Sequence, residues 1–97
     1  MTWLLMTDGD SPVTFRLPPG TAKTIGRATQ ADFIVEAALV SRVHCRLTAS
    51  RDNELVVEDL DSTNGTLVNG EPVGRAVLKI GDTLTVGRLE LRVQLAS

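Results

Sequence analysis

The chain has 97 residues, 42% of them hydrophobic, and a formal net charge of −2 at pH 7. This length suits one domain, the hydrophobic content argues against a disordered chain, and the charge argues against general nucleic-acid binding, which requires a basic surface. A single cysteine, Cys45, and a single histidine, His44, exclude an intrachain disulfide and a cysteine-based zinc site.

Alternation of apolar and polar residues dominates the chain and predicts short β-strands with one buried face. The clearest apolar series are Val13-Phe15-Leu17, Val43-Cys45-Leu47 and Leu89-Leu91-Val93-Leu95. The strand that ends near Val86 alternates in the opposite phase to the one that starts at Leu89. This change of phase predicts a turn or bulge at Gly87-Arg88.

Turn-forming residues separate the strands at short intervals. They are Asp8-Gly9, Pro18-Pro19-Gly20, Asp52-Asn53, Asn64-Gly65, Asn69-Gly70, Pro72 and Gly81-Asp82. Residues 28–39 could form a turn or two of helix, but a loop, a short strand at Asp32–Val35 and a second loop are the preferred interpretation. The whole pattern is typical of an all-β sandwich or barrel.

Two segments look like catalytic motifs without meeting their requirements. The stretch "LPPGTAKT" has Leu17 and Ala22 where a nucleotide-binding P-loop requires glycine. Cys45 and His44 are neighbours on a predicted strand, so their side chains should point to opposite faces and cannot act together as nucleophile and base. The sequence therefore predicts no enzyme activity, no catalytic residue, no metal and no other cofactor.

Asn-Gly, a strong hairpin signal, occurs twice in residues 61–70. Asn69-Gly70 lies between "TLV" and "EPV" and is predicted to be an ordinary hairpin turn. Asn64-Gly65 follows Ser62-Thr63, two residues that a hairpin turn does not need. The earlier pair therefore belongs to a candidate ligand-binding loop.

Four short segments form an ordered set: Gly26-Arg27, Ser41-Arg42-Val43-His44, Asp61–Thr66 and Gly81-Asp82. With this set, the chain resembles the forkhead-associated (FHA) domain, a β-sandwich that binds phosphothreonine in peptides. The motifs lie in a core of about residues 24–93, and we expect residues 1–97 to form a single FHA domain. The resemblance implies two antiparallel sheets of about eleven short strands in all, with the ligand loops clustered at one end.

The chemistry of phosphothreonine suits the residues of this set. A phosphothreonine carries about −1.5 to −2 charge and three acceptor oxygens, so its binding requires a cation with several donors and neutral donors around it. The resemblance implies that Arg27 and Ser41 contact the phosphate and that Arg42 is a less constant neighbour of it. It implies also that Thr63 touches the phosphothreonine and that Asn64 holds the adjacent peptide backbone.

Other residues of the set are expected to support the site. Gly26, Gly65 and Gly81 are expected to be structural. His44 could bind the phosphate, but in the family the equivalent histidine packs behind the loops and holds them by hydrogen bonds, and this is the preferred interpretation. Leu39 stands where some members carry a basic residue that reads an acidic residue three positions after the phosphothreonine. We therefore expect an apolar or indifferent preference at that position of the ligand.

The sequence thus predicts a phosphothreonine-dependent module in Ser/Thr kinase signalling, whose partner is a phosphorylated protein and whose kinase acts upstream. We expect a monomer with no nucleic-acid or membrane partner. We expect it in the cytoplasm, since the short apolar run at Trp3–Met6 has no basic flank and is too short for a signal peptide or a membrane span. The alternative is a phospho-independent interaction domain that uses a sheet face. Such a domain would need none of four residues that this chain retains together: Arg27, Ser41, Thr63 and Asn64. A free-standing domain and a part of a longer chain both remain open.

Overall fold

The structure, a computed structural model, describes residues 1–9 and 12–96, and within them it contains eleven strands and no helix. The strands are β1 (Thr2–Met6), β2 (Thr14–Leu17), β3 (Thr21–Gly26), β4 (Phe33–Ile34), β5 (Cys45–Ala49), β6 (Leu55–Asp59), β7 (Thr66–Val68), β8 (Glu71–Val73), β9 (Arg75–Leu78), β10 (Thr83–Val86) and β11 (Leu89–Ala96). Since the described residues form no helix, they include no candidate for a membrane-spanning helix.

The strands form two sheets that pack face to face. One sheet has six strands in the order β2-β1-β11-β10-β7-β8, and the other has five in the order β4-β3-β5-β6-β9. The strand pairs are antiparallel except the short pair of β3 and β4, which is parallel. The prediction of a two-sheet β-sandwich is confirmed, with this one parallel pair as a local departure.

Alternation along the strands places the apolar side chains between the sheets. Leu5, Leu47 and Leu91 are fully buried there, and the core is almost entirely aliphatic. The alternation predicted that Val13 would be buried with Phe15 and Leu17, but Val13 lies just before β2 and is 50% exposed. Burial of these side chains, at about 25 cal/mol per Å² of apolar surface, is the main stabilisation of the sandwich.

Residues 28–39 form a loop, the two-residue strand β4 and a second loop, as the preferred interpretation predicted. β4 is shorter than the predicted Asp32–Val35, because it pairs only with Ile25 and Gly26 at the end of β3. Phe33 in β4 stacks on Phe15 with ring centroids 4.4 Å apart. This contact between the two aromatic rings ties the short strand to the rest of the core.

Two predicted turns join neighbouring strands of the six-stranded sheet. Asn69 and Gly70 connect β7 to β8, and their φ angles of 51° and 83° suit a type I′ hairpin turn. Gly87 and Arg88 connect β10 to β11, since Val86 pairs with Leu89. The predicted change of phase at Gly87-Arg88 is therefore a two-residue hairpin turn.

Candidate functional site

An open depression of about 330 Å³ lies where the β3–β4, β4–β5 and β6–β7 loops meet. Its lining residues are Arg27, Ala37, Ala38, Leu39, Val40, Ser41, Thr63 and Asn64. The depression brings together four of the five side chains predicted to contact the ligand. Arg42 is the exception, because it lines a neighbouring depression of about 420 Å³ together with Arg27, Ala28, Thr29 and Gln30.

The two arginines emerge where the chain after β3 runs beside the chain before β5. Arg27 donates its backbone N–H to Ser41 O, and Ala28 donates its own to Arg42 O, each at 3.0 Å. Both arginine side chains are exposed, and within residues 1–9 and 12–96 the only ion pair joins Arg46 to Glu58 at 3.9 Å. Neither guanidinium is therefore neutralised by a carboxylate of the described chain.

Gly26 allows this close approach of the two segments. A Cβ at position 26 would lie 2.1 Å from Arg42 O and 2.8 Å from the Cα of Val43, which is inside any acceptable contact distance. Gly65 serves a different purpose, since its φ is +85° and no atom lies within 4 Å of an added Cβ. Glycine is favoured at position 65 because the β6–β7 loop has a left-handed backbone conformation there.

Ser41 and Asn64 link the loops to one another and keep donors for a ligand. The Ser41 hydroxyl oxygen accepts the Thr63 N–H at 3.0 Å, and in the described part of the chain its own hydrogen has no acceptor. Asn64 donates from Nδ2 to Leu39 O at 3.1 Å. One amide hydrogen and the Oδ1 acceptor of Asn64 then remain for other partners.

His44 lies behind these loops and is completely buried. Its Nδ1 accepts the Ser41 N–H at 3.0 Å, so the ring proton is on Nε2, which donates to Gly65 O at 2.8 Å. The ring thus joins the β4–β5 loop to the β6–β7 loop. Neighbouring Cys45 is buried in the core, where desolvation, with a smaller contribution from the Asp59 charge, raises the pKa of its thiol to about 12.

Asp59, at the end of β6, organises the β6–β7 loop and was missed by the sequence analysis. Its carboxylate accepts the Ser62 N–H at 3.2 Å, the Thr66 hydroxyl at 2.8 Å and a short hydrogen bond from the Ser62 hydroxyl. The Ser62 oxygen in turn accepts the Gly65 N–H at 3.0 Å. An aspartate just before a Ser/Thr-rich turn is a signal that could have identified this role.

Asp59 should make the unfolding free energy of the domain depend on pH in the acidic range. Desolvation raises the pKa of its carboxyl, but the hydrogen bonds from Ser62 and Thr66 outweigh it and lower the pKa below the ordinary 3.8. A depressed folded-state pKa stabilises the protein above pH 3.8, and this contribution is lost as the pH falls through the lowered value. Asp59→Asn should therefore destabilise the domain at neutral pH and less so in acid.

Urea unfolding of both proteins at a series of pH values down to about 2 would measure this dependence. The difference in unfolding free energy should be largest above pH 4 and should shrink in acid. Asp52→Asn, which removes an exposed carboxylate from the β5–β6 turn, serves as the control. A difference between wild type and Asp59→Asn that stays constant over the whole range would contradict the assignment.

Gly87 is a second residue whose contact with the site was missed, although its turn was predicted. A Cβ at position 87 would lie 2.6 Å from the carbonyl carbon of Leu39, and Arg88 donates its N–H to Ala38 O at 3.1 Å. Leu39 itself has a φ of 68° and is 49% exposed. The β10–β11 turn thus packs against Leu39 on the apolar side of the depression. Leu39 has there a left-handed backbone conformation that is unusual for a residue other than glycine.

A model of the family described as FHA domain matches residues 23–87 of this chain. The ABC transporter ATP-binding/permease protein Rv1747 of Mycobacterium tuberculosis is 39% identical over 79 residues, covering 81% of this chain and 9% of that protein. The glycogen accumulation regulator GarA of the same species is 41% identical over 66 residues, covering 68% of this chain and 40% of that protein. The chain therefore spans less than half the length of these curated relatives.

Solved structures share the whole fold. An FHA domain from a structural and functional study of phosphothreonine-dependent FHA domain interactions superposes with a TM-score of 0.90 at 33% identity, covering 100% of this chain and 99% of that one. The FHA domain of CT664 protein from Chlamydia trachomatis gives a TM-score of 0.92 at 24% identity, with both chains covered completely. The second likeness concerns the fold alone.

Proposed function

Because the chain belongs to the FHA domain family, we propose that it is a phosphothreonine-dependent protein-binding module without catalytic activity. The observation that carries the proposal is the convergence of Arg27, Ser41, Thr63 and Asn64 on one open depression that none of its lining residues makes acidic. Three loops supply these side chains, and hydrogen bonds between the loops hold them in place before a ligand arrives. Such preorganisation lowers the entropic cost of binding.

Each side chain has a distinct role in this proposal. The Arg27 guanidinium pairs with the phosphate dianion, and the unused hydroxyl hydrogen of Ser41 donates a further bond to it. The Thr63 N–H is already donated to Ser41, so Thr63 contributes its hydroxyl. The remaining N–H and the Oδ1 of Asn64 suit the backbone of an extended peptide, which offers one donor and one acceptor per residue.

The apolar wall of the depression favours phosphothreonine over phosphoserine. Ala37, Ala38, Leu39 and Val40 line the same depression as the polar donors, and phosphothreonine carries one methyl group more than phosphoserine. Burial of a methyl group is worth about 1 kcal/mol, or roughly fivefold in affinity. A few charge-assisted hydrogen bonds, reduced by the cost of binding, correspond to a Kd on the order of micromolar.

Calorimetric titration with three matched degenerate peptide pools tests the proposal. One pool carries phosphothreonine at the fixed position, one carries phosphoserine and one is unphosphorylated. We expect micromolar binding of the first pool, about fivefold weaker binding of the second and none of the third. Equal or absent binding across the pools would contradict phosphothreonine dependence and would favour a phospho-independent interaction domain that uses a sheet face.

The wider setting of the domain is part of the proposal. A phosphorylated protein is the partner, and a Ser/Thr kinase acts upstream of it. Cytoplasmic location, a monomeric state and a domain that extends over residues 1–97 stay predictions of the sequence.

A further inference from the structure

The depression beside the proposed phosphothreonine site has a different character. Its volume is about 420 Å³, and all of its lining side chains except Ala28 are polar: Arg27, Thr29, Gln30 and Arg42. Each of these four side chains has hydrogen-bond donors, and none is a carboxylate. The phosphothreonine depression, in contrast, has the apolar wall from residues 37–40.

The two depressions are adjacent but separate. Ser41 and Arg42 are consecutive residues, yet Ser41 lines the first depression and Arg42 the second. Their carbonyl oxygens accept the N–H groups of Arg27 and Ala28, respectively, which fixes the path of this segment. Only Arg27 lines both depressions, so the two depressions meet at its side chain.

The charge of the second depression is uncompensated. Arg27 and Arg42 take part in no ion pair within the described ranges, although the chain as a whole has a net charge of −2. In the proposed function the phosphate pairs with Arg27, and Arg42 does not line the depression that holds it. An oxyanion beside Arg42 would pair with a guanidinium that no carboxylate of the described residues neutralises.

The loop that completes the second depression is held in place without a ligand. Ala31 donates its N–H to Ala28 O at 3.1 Å, which closes a turn around Thr29 and Gln30. Asp32, just after the turn, accepts the Thr24 N–H at 2.9 Å and its hydroxyl at 3.2 Å. Thr29 and Gln30 therefore stay exposed beside the arginines at no further cost of ordering the loop.

We propose that this second depression binds a second oxyanion of the same ligand, within a few residues of the phosphothreonine, with Arg42 as its principal contact. The proposal rests on the proposed function of the neighbouring site. A phosphate of another phosphorylated residue and a carboxylate of Asp or Glu share the required chemistry. The phosphate should bind more tightly, since it carries up to two charges and three acceptor oxygens. The subsite is distinct from the position that Leu39 faces, because Leu39 lines the other depression.

A positional scan of phosphothreonine peptides tests this proposal on the whole chain. Each peptide carries phosphoserine, glutamate or glutamine at one of the first four positions on either side of the phosphothreonine. At one position or two neighbouring positions, wild-type protein should bind the phosphoserine peptide about tenfold more tightly than the glutamine peptide, with glutamate in between. The quantity compared between proteins is this ratio, which is unaffected by changes at the phosphothreonine itself.

Three variants assign the subsite, of which Arg42→Gln and Arg16→Gln each remove one positive charge. Arg42→Gln should reduce the tenfold ratio to about one, and Arg42→Lys should retain part of it, because lysine keeps the charge without the planar fork. Arg16→Gln removes one exposed arginine from β2 in the six-stranded sheet and should leave the ratio intact. If Arg16→Gln lowers the ratio as much as Arg42→Gln does, the tighter binding of the phosphoserine peptide is a general effect of charge and the proposal is wrong.

The remaining outcomes separate this proposal from the proposed function. If phosphothreonine peptides bind, but phosphoserine binds no more tightly than glutamine at any scanned position, the second subsite alone is overturned. A ratio that persists in Arg42→Gln, while all peptides bind more weakly, would assign Arg42 to the phosphothreonine itself and also overturn it. Absence of binding to every phosphopeptide would overturn the proposed function and the second subsite together.

Discussion

Arg27→Ala should lower the affinity for a phosphothreonine peptide by about 100-fold. The guanidinium supplies the only full positive charge in the proposed phosphothreonine depression, as far as the described residues line it. Two charge-assisted hydrogen bonds at about 1.5 kcal/mol or more each correspond to roughly two orders of magnitude in Kd. Calorimetric titration of wild type and variant with the same peptide measures the loss.

A control variant and a stability measurement make this prediction specific. Arg27 is exposed and forms no ion pair in the described part of the chain, so the thermal midpoint of Arg27→Ala should stay close to that of wild type. Arg16→Ala removes the same charge from the outside of β2 and should change the affinity less than about twofold. A peptide that binds Arg27→Ala as tightly as wild type would disprove the assignment of the site.

Gly26→Ala should destabilise the domain by about 3 kcal/mol or more. The added Cβ would sit 2.1 Å from the Arg42 carbonyl oxygen, and backbone atoms cannot turn aside as a flexible side chain can. The segments that carry Arg27 and Ser41 would have to separate, which breaks the hydrogen bonds between them. Urea denaturation should report the loss of stability, and peptide titration should report weaker binding in whatever fraction still folds.

Gly74→Ala provides a matched control for this substitution. It adds the same methyl group, but nothing lies within 4 Å of the added Cβ, and the position lacks the left-handed φ that disfavours alanine. The unfolding free energy of Gly74→Ala should therefore stay within about 0.5 kcal/mol of wild type or rise slightly. Similar losses in the two variants would show that the close crossing at Gly26 does not limit stability.

These two predictions address different properties of the same loops. Arg27 is exposed and contributes charge to the ligand, so its loss should be visible in affinity and hardly in stability. Gly26 is buried and contributes only the absence of a side chain, so its loss should be visible in stability first. A variant of each kind therefore separates the chemistry of the site from the fold that holds it.

Much of the fold follows from local sequence. Alternating apolar residues such as Leu91 and Val93 identify a buried strand face, because successive side chains on a strand point to opposite sides. Asn69-Gly70 identifies its own hairpin turn, since both residues tolerate the positive φ that such a turn requires. No single motif between Gly26-Arg27 and Gly81-Asp82 is specific, but their order along the chain identifies the family.

Only the tertiary structure decided how the loops meet. The bond from Thr63 to Ser41 joins residues 22 positions apart, and that from Asn64 to Leu39 joins residues 25 positions apart. Neither periodicity nor turn preference carries information on such contacts, since both describe neighbours along the chain. The strand order sets those meetings, and with them the contact of Gly87 with Leu39 and the separation of Arg42 from Ser41 into two depressions.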